Sequence, residues 1–262
     1  MTSFLNTYAH PGTDLQRPFE AAVVMPSLLR PEIATALRSI FAQDLPGRIQ
    51  VLVGLDLPAE LAPLEAVCAE RPENVVVQVF YPGFCTSTRR GGLSETWYGG
   101  ALRSILSHMA NSVRIAYLDD DNWWRPDHLR LLATAMQGAE WAFSLRWFCH
   151  AQTRRPIAVD QWESVGPGQG VYLRDFGGFV DPNCLMLDKL ACNDVIHQWN
   201  RAVPLATRGR MSDRNVFDLL MKRHRWAATG QPSAFYTLNA GDESHGQRVA
   251  WLGAAHDQAG AP

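Results

Sequence analysis

The chain has 262 residues, of which 47% are hydrophobic, and a formal net charge of -2 at pH 7. This length allows one large α/β domain with a sizeable core, and the nearly neutral charge argues against a general nucleic-acid binder. No apolar stretch is long enough to span a bilayer, and the amino end lacks the basic and apolar regions of a signal peptide. Five cysteines without a CxxC spacing indicate reduced thiols and a cytoplasmic location.

The first part of the chain alternates predicted strands and helices after a polar tail. Its apolar runs give, in chain order, strand 19–25, helix 31–43, strand 50–55 and strand 75–81. Consecutive parallel strands joined by a helix form a right-handed crossover, and such sheets bind ligands at the carboxyl ends of their strands. Pro26 and Ser27 close the first strand, and Asp56 follows the second. Asp56 could also be the N-cap of a helix that begins near Pro58.

An acidic run is the strongest local feature. The apolar residues 115–118 predict a buried strand, which leads directly into Asp119, Asp120 and Asp121. Because an unpaired carboxylate away from water is costly, we place these acids at the carboxyl edge of the sheet. Carboxylate oxygens suit Mg²⁺ or Mn²⁺, especially when a substrate phosphate supplies further ligands. The alternative is an acidic turn that caps the helix beginning near Pro126.

The second half of the chain has a different character. Its predicted elements are strands 141–150 and 156–159, a glycine-rich loop at 166–170, an apolar strand within 179–189 and a helix that begins after Ser212. Asp213 lies in the first turn of that helix, where a carboxylate is usually stabilised by the helix dipole. The polar segment 241–248 contains His245 and Arg248. An imidazole can complete a metal site begun by carboxylates, although a lone loop histidine is usually solvated.

The order of these features resembles the family 2 glycosyltransferases, which have the GT-A fold. Those enzymes have Pro-Thr-Tyr-Asn-Arg after the first strand, and this chain has Pro26-Ser27-Leu28-Leu29-Arg30. They continue with a helix that bears Ala-Arg-Asn, a strand and Leu-Asp-x-Asp-Asp. Here Leu102-Arg103-Ser104 is followed at the usual distance by Leu118-Asp119-Asp120-Asp121-Asn122. The two leucines at 28–29 and the final asparagine depart from the family pattern.

The resemblance implies an α/β GT-A fold, a Rossmann-like open mixed sheet flanked by helices, with a smaller acceptor-side β-hairpin and loop region. It covers residues 19–135 well and residues 175–250 more loosely. We therefore expect a single domain over residues 1–262. A nucleotide-sugar-binding half would occupy about residues 19–135, and an acceptor-binding and catalytic-base half would occupy about residues 136–250.

The resemblance also implies roles for individual residues. Asp213 matches the catalytic base of the family, although Ser212 stands where the family has Glu. Asp121, with His245 as a second ligand, would hold Mn²⁺ or Mg²⁺. Asp56 matches an acid that accepts a hydrogen bond from the base in uridine-binding relatives. The residues expected to bind the nucleotide-diphosphate sugar are Pro26, Ser27, Arg30, Asp56, Arg103, Asp119, Asp120 and Arg248.

The predicted function is metal-dependent transfer of a sugar from a nucleotide-diphosphate sugar, with a UDP-sugar favoured, to the hydroxyl of a carbohydrate or other acceptor. Asp213 as the base implies inversion at the anomeric carbon. Two alternatives stay open. One is a non-catalytic sugar-nucleotide-binding module. The other is a sugar nucleotidyltransferase, whose glycine- and basic-rich signature after the first strand is absent here.

Overall fold

The computed structural model describes residues 2–201 and 212–260. The strands of this part are β1 Phe4–Tyr8, β2 Ala21–Ser27, β3 Ile49–Leu55, β4 Val75–Tyr81, β5 Arg114–Tyr117, β6 Trp123–Trp124, β7 Trp141–Cys149, β8 Pro156–Val159, β9 Gly166–Pro167, β10 Gly178–Phe179, β11 Leu185–Asp188 and β12 Trp226–Thr237. The helices are α1 Ile33–Phe41, α2 Ala62–Ala69, α3 Gly100–Met109, α4 His128–Ala135, α5 Leu173–Phe176, α6 Asn193–Ile196, α7 Asp213–Arg223, α8 His245–Leu252 and α9 Ala254–Gly260.

Ten strands of the described chain form one mixed sheet. Its order is β1-β4-β3-β2-β5-β11-β7-β12-β6, and β8 pairs with β7. Strands β4, β3, β2 and β5 are parallel, whereas β11 runs antiparallel between β5 and β7. Every residue of β2 and β3 is buried, as expected for parallel strands covered on both faces. The predicted open mixed sheet flanked by helices is therefore present.

Helix α3 lies close against the parallel strands, and a glycine permits this approach. A Cβ at Gly54 of β3 would lie 2.8 Å from Leu106 Cδ1 and 3.3 Å from Leu102 Cδ2. Both leucines are fully buried in the core. Since Arg103 follows Leu102 on the same helix, this packing determines where the arginine lies relative to the ends of the strands.

Several elements differ from the sequence-based expectation. The amino-terminal tail contains β1, which pairs antiparallel with β4 at the edge of the sheet. Its residues alternate between half-buried and exposed, so its composition gives no continuous apolar run. Strand β12 was not predicted because it contains Gly230 and Pro232, and its pairing with β7 shifts register on both sides of the proline. The Ala- and Gly-rich carboxyl end, which has no predicted element, forms α9 as far as residue 260.

Two further expectations concern membranes and thiols. None of the helices in the described residues combines the length and the hydrophobicity that crossing a membrane requires. The five cysteines, all of which lie in the described part of the chain, are free thiols. Four of them are buried, so burial rather than disulfide bonding accounts for their positions.

A tight contact at the start of α3 gives a testable consequence. A Cβ at Gly100 would lie 2.1 Å from the carbonyl oxygen of Trp199 and 2.6 Å from the hydroxyl of Thr96. Because a backbone carbonyl cannot move aside easily, Gly100→Ala should lower the free energy of unfolding by about 1–3 kcal/mol. In the control Gly241→Ala, the new Cβ meets no described atom within 4 Å, and the change should stay below about 0.5 kcal/mol. Equal denaturant-unfolding curves for the two variants would contradict this packing.

Candidate active site

One cleft lies at the carboxyl ends of β2, β3 and β5, and it brings together most of the residues singled out from the sequence. Asp120 lies buried behind the wall of this cleft, and His245 is not part of the wall. The predicted residues that line the cleft are Pro26, Ser27, Arg30, Asp56, Arg103, Asp119, Asp121, Asp213 and Arg248. They come from six separate regions of the chain, so the fold, rather than local sequence, gathers them.

Asp120 organises the loop that follows β2. Its Oδ2 accepts hydrogen bonds from the Ser27 hydroxyl at 2.6 Å and the Leu28 amide at 3.2 Å. Its Oδ1 accepts two from the Arg30 guanidinium, at 2.9 Å and 2.5 Å. Between these donors, Leu29 adopts a φ of +57°, a left-handed conformation that costs a residue with a Cβ about 1–2 kcal/mol. The buried carboxylate therefore holds the loop in a strained conformation at the edge of the cleft.

Asp121 faces the cleft and shares a partner with Asp120. Its Oδ2 accepts hydrogen bonds from Arg30 Nη1 and from Nδ2 of the Asn239 side chain, each at 2.8 Å. Burial is the largest cause that raises the pKa of Asp121 to about 7; Arg30 opposes the shift, and the nearby carboxylates of Asp119, Asp120 and Asp242 add to it. The ionised form of this carboxylate would be favoured by any cation placed beside it.

Asp119 is held between α3 and the segment before β11. Arg103 forms an ion pair with Asp119 and donates a second hydrogen bond to the Tyr98 carbonyl oxygen. On the other side, Asn183 accepts from the Asp119 amide at 2.7 Å and donates to Asp119 Oδ2 at 3.0 Å. Sequence reasoning missed Asn183. The signal was the Asp-Pro-Asn sequence at 181–183, which interrupts an otherwise apolar stretch.

Asp56 lies in the part of the cleft wall formed by β3 and the loop after β4. Its Oδ1 accepts hydrogen bonds from the amide and the hydroxyl of Thr86, both at 2.7 Å, and its Oδ2 accepts one from the Cys85 thiol at 3.4 Å. Helix α2 begins at Ala62 with Leu61 at its N-cap. The alternative in which Asp56 caps a helix near Pro58 is therefore wrong.

Asp213 is the first residue of α7, and its carboxylate faces the cleft. Oδ1 accepts from the Arg214 amide at 2.8 Å, and Oδ2 accepts from Arg214 Nη1 at 3.3 Å. Ser212 occupies the N-cap position, as predicted, but its side chain makes no capping hydrogen bond. The residues directly before Ser212 lie outside the described part of the chain.

A buried ionic network forms the cleft wall on the side of α8. The Arg146 guanidinium donates to Asp160 at 2.8 Å, to Glu163 at 2.6 Å and to Asp181 at 2.6 Å, and its side chain has no exposed surface. Glu163 also accepts two hydrogen bonds from Arg248, at 2.7 Å and 3.0 Å. Sequence reasoning missed this network, although a charged residue inside the apolar run 141–150 was a signal.

Arg248 fastens α8 to this network. Its Nε and Nη2 donate to Glu163, and its Nη1 donates to the Tyr236 hydroxyl at 3.0 Å and to Asp242 at 2.9 Å. Four of the five N–H groups of a guanidinium can account for these contacts, so one is left for a ligand. Arg248 lines the cleft, but most of its hydrogen-bonding capacity serves the fold.

His245, expected as a metal ligand, is the first residue of α8 rather than a loop residue. Its ring lies with its centroid 6.4 Å from that of His256, and the structure does not bring it into the cleft wall beside Asp121. The preceding residues Asp242 and Glu243 line the cleft instead. Among the residues that the structure describes, no group of three or more histidine, cysteine, aspartate or glutamate side chains is placed so that it could hold a metal ion. Metal binding by His245 stays a prediction.

Comparison with known proteins identifies the fold. No protein-family model and no curated protein matches the chain. Among solved structures, S. aureus TarS 1-349 superposes with a TM-score of 0.59 at 15% identity, covering 92% of this chain and 71% of that one. The mannosyltransferase PcManGT from Pyrobaculum calidifontis, in complex with GDP-Man and Mn²⁺, superposes with a TM-score of 0.55 at 12% sequence identity. This match covers 89% of the present chain and 61% of PcManGT.

This chain is shorter than the proteins it resembles. Its superposition on a longer S. aureus TarS chain includes 83% of this chain but only 36% of that one, with a TM-score of 0.58 at 14% sequence identity. At such low identities the likeness concerns the fold alone. The predicted GT-A glycosyltransferase fold is confirmed.

The buried network predicts a dependence of stability on pH. Burial alone would raise the pKa of Glu163, but Arg146, Arg248 and Arg214 lower it from 4.5 to about 2. The ionised carboxylate therefore stabilises the folded state above about pH 4.5, and this contribution is lost as the pH falls toward 2. Glu163→Gln should lower the free energy of unfolding by about 3–5 kcal/mol at neutral pH.

Denaturant unfolding at several pH values measures this effect. The difference in unfolding free energy between wild type and Glu163→Gln should shrink as the pH is lowered from neutral toward 3. Asp257→Asn serves as the control, because the Asp257 side chain is 87% exposed. If the difference in unfolding free energy between wild type and Glu163→Gln is constant over this pH range, the network does not stabilise the ionised form of Glu163.

Proposed function

We propose that this protein is a glycosyltransferase that moves a sugar from a nucleotide-diphosphate sugar to an acceptor hydroxyl. The observation that carries the proposal is that Asp56, Asp119, Asp121 and Asp213 line one cleft of a GT-A fold. Structures of the similar proteins hold UDP, UDP-GlcNAc or GDP-Man, which supports a nucleotide-sugar donor here. The chain would act as one domain, with donor and acceptor halves at about residues 19–135 and 136–250.

The donor would lie along the carboxyl edge of the sheet. Strand β2 separates β3 from β5, so Asp56 lies about two strand spacings, ~10 Å, from the acidic run. The base would contact Asp56, the ribose would lie over Pro26 and Ser27, and the diphosphate would reach Asp119 and Arg103. The free N–H of Arg248 could contact the diphosphate. Asp120 and Arg30 would support this site mainly by shaping the loop after β2.

A divalent cation fits the oxygen ligands of this cleft only with help from the donor. Mg²⁺ and Mn²⁺ are often held by one or two carboxylates together with substrate phosphates. Asp121 offers one carboxylate, and Asp242 lines the same cleft close enough to raise the pKa of Asp121. When bound there, such a cation supplies Lewis-acid stabilisation of the leaving diphosphate. His245 stays a further candidate from the sequence.

Asp213 would act as the general base. Its carboxylate lies at the amino end of α7, and the two hydrogen bonds from Arg214 fix its orientation. The carboxylate would take the proton of the acceptor hydroxyl while that oxygen attacks the anomeric carbon. The bond from the anomeric carbon to the diphosphate breaks on the opposite side, so a single displacement would invert the configuration.

Removal of Asp121 tests the cation site. Asp121→Ala should abolish the increase in melting temperature that Mn²⁺ adds to stabilisation by UDP, because the main protein ligand is lost. Thermal melting of the metal-free protein without nucleotide should show that the variant is folded. Asp257→Ala, which removes an exposed acid, is the control and should respond to Mn²⁺ and UDP like wild type. Wild-type behaviour of Asp121→Ala would remove the assignment.

Substitution of Asp213 tests the reaction. Asp213→Asn should reduce sugar transfer by on the order of 10²- to 10⁴-fold, the usual contribution of a positioned base, while nucleotide affinity is retained. The control is Asp218→Asn on the same helix, where an ion pair with Lys222 lies at the surface. Steady-state transfer and nucleotide titration are measured for each. Activity within a few-fold of wild type would exclude Asp213 as the base.

The same measurements distinguish the alternative functions. If wild type binds nucleotide sugars but shows neither sugar transfer nor slow hydrolysis of the nucleotide sugar, the protein is a binding module. Release of pyrophosphate from a sugar phosphate and a nucleoside triphosphate would indicate a nucleotidyltransferase. Either result would replace the glycosyltransferase proposal.

A further inference from the structure

Asp56 is a buried carboxylate with few hydrogen-bonding positions left for a ligand. Each carboxylate oxygen has two acceptor positions. On Oδ1 both are filled by the amide and the hydroxyl of Thr86, each at 2.7 Å. Oδ2 accepts only the Cys85 thiol among the described residues, at 3.4 Å. Burial, with the charge of Asp56 adding to it, raises the pKa of the Cys85 thiol, so Cys85 stays a neutral and weak S–H donor.

The carboxylate cannot easily turn to present both oxygens. Asp56 and Thr86 are both buried, at 5% and 6% exposure, and the Asp56 amide donates to the Ser27 carbonyl at 3.0 Å. The Thr86 carbonyl accepts from the Ser94 amide at 2.8 Å, and a Cβ at Gly92 would lie 2.3 Å from that carbonyl oxygen. Rotation of Asp56 would break two short hydrogen bonds in a buried place and leave their donors unpaired, which is costly.

We infer that Thr86 restricts Asp56 to one hydrogen bond from the base of the donor, so that the cleft selects an imide base, uracil or thymine, over guanine. This inference rests on the proposed function. Uracil and thymine present one N–H between two carbonyl groups. That N–H fits the free position on Asp56 Oδ2, and a neighbouring carbonyl can accept the Cys85 thiol proton.

The other bases fit this carboxylate less well. Guanine presents a ring N–H and an amino group side by side, and a carboxylate binds this pair best with both oxygens. Here the guanine amino group would meet Oδ1, whose acceptor positions Thr86 already fills, and one amino N–H would stay buried without a partner. Cytosine and adenine place a ring nitrogen lone pair beside their amino group, and that lone pair would face the carboxylate. One unsatisfied buried donor lowers affinity on the order of 10- to 100-fold.

The test is isothermal titration of the full chain, in the presence of Mn²⁺, with UDP, TDP and GDP. Wild type should bind UDP and TDP more tightly than GDP, on the order of 10- to 100-fold. Thr86→Val removes one donor from Oδ1 while the backbone donor remains. The ratio of GDP to UDP dissociation constants should then fall by on the order of tenfold, chiefly because GDP binds more tightly.

Two controls make the comparison specific. Thr86→Ser keeps the hydroxyl and should keep the wild-type ratio. Thr134→Val makes the same change on α4, where the hydroxyl donates only to the Arg130 carbonyl, and it should also leave the ratio unchanged. Thermal melting confirms that each variant is folded before titration.

The outcomes separate this inference from the proposal on which it rests. If wild type binds GDP as tightly as UDP, base selection by Asp56 and Thr86 is overturned and the glycosyltransferase proposal stands. If wild type binds none of the three nucleotides, the proposed function fails, and this inference fails with it. If wild type prefers UDP but folded Thr86→Val keeps the wild-type ratio, the role of Thr86 is overturned.

Discussion

The removal of one negative charge from water determines the shape of the loop after β2, at the edge of the cleft. The carboxylate of Asp120 has no exposed surface, and a buried ion is tolerated only when it is paired and hydrogen-bonded. Its donors are all supplied by residues 27–30, so the loop after β2 must wrap around it. Because Arg30 also pairs with Asp121, the same constraint places a second carboxylate in the cleft. The strained backbone at Leu29 is a consequence of this arrangement.

A second buried network has the same effect on the other side of the cleft. Arg146 lies inside β7, and Glu163 and Arg248 link it to the loop after β8 and to α8. Such buried ion pairs are weak evidence for added stability, since their desolvation offsets much of their attraction. They do demand one arrangement of charges, because any displacement leaves an ion unpaired. The two networks together hold the side chains on both sides of the cleft in fixed positions.

Local patterns predicted the features that depend on neighbouring residues. The parallel strands were recognisable because strands covered on both faces require continuous apolar runs, and β4 was predicted with its observed bounds. The acids after β5 were placed correctly at the sheet edge because carboxylates cannot continue a buried strand. The start of α7 at Asp213 followed from residue preferences at helix ends. Asp119, Asp121 and Asp213, which these features carry, line the same cleft.

The sequence by itself determined the strand-and-helix alternation, the sheet edge that carries the acids and the helix start that carries Asp213, because each depends on residues within a few positions. Only the tertiary structure decided which partners these side chains have. Asp120 meets Ser27 across 93 residues, and Asp121 meets Asn239 across 118. In the tertiary structure His245 lies outside the cleft wall, and residues 226–237 form β12 although they include Gly230 and Pro232. Such pairings depend on the order of strands in the sheet, which local propensity does not encode.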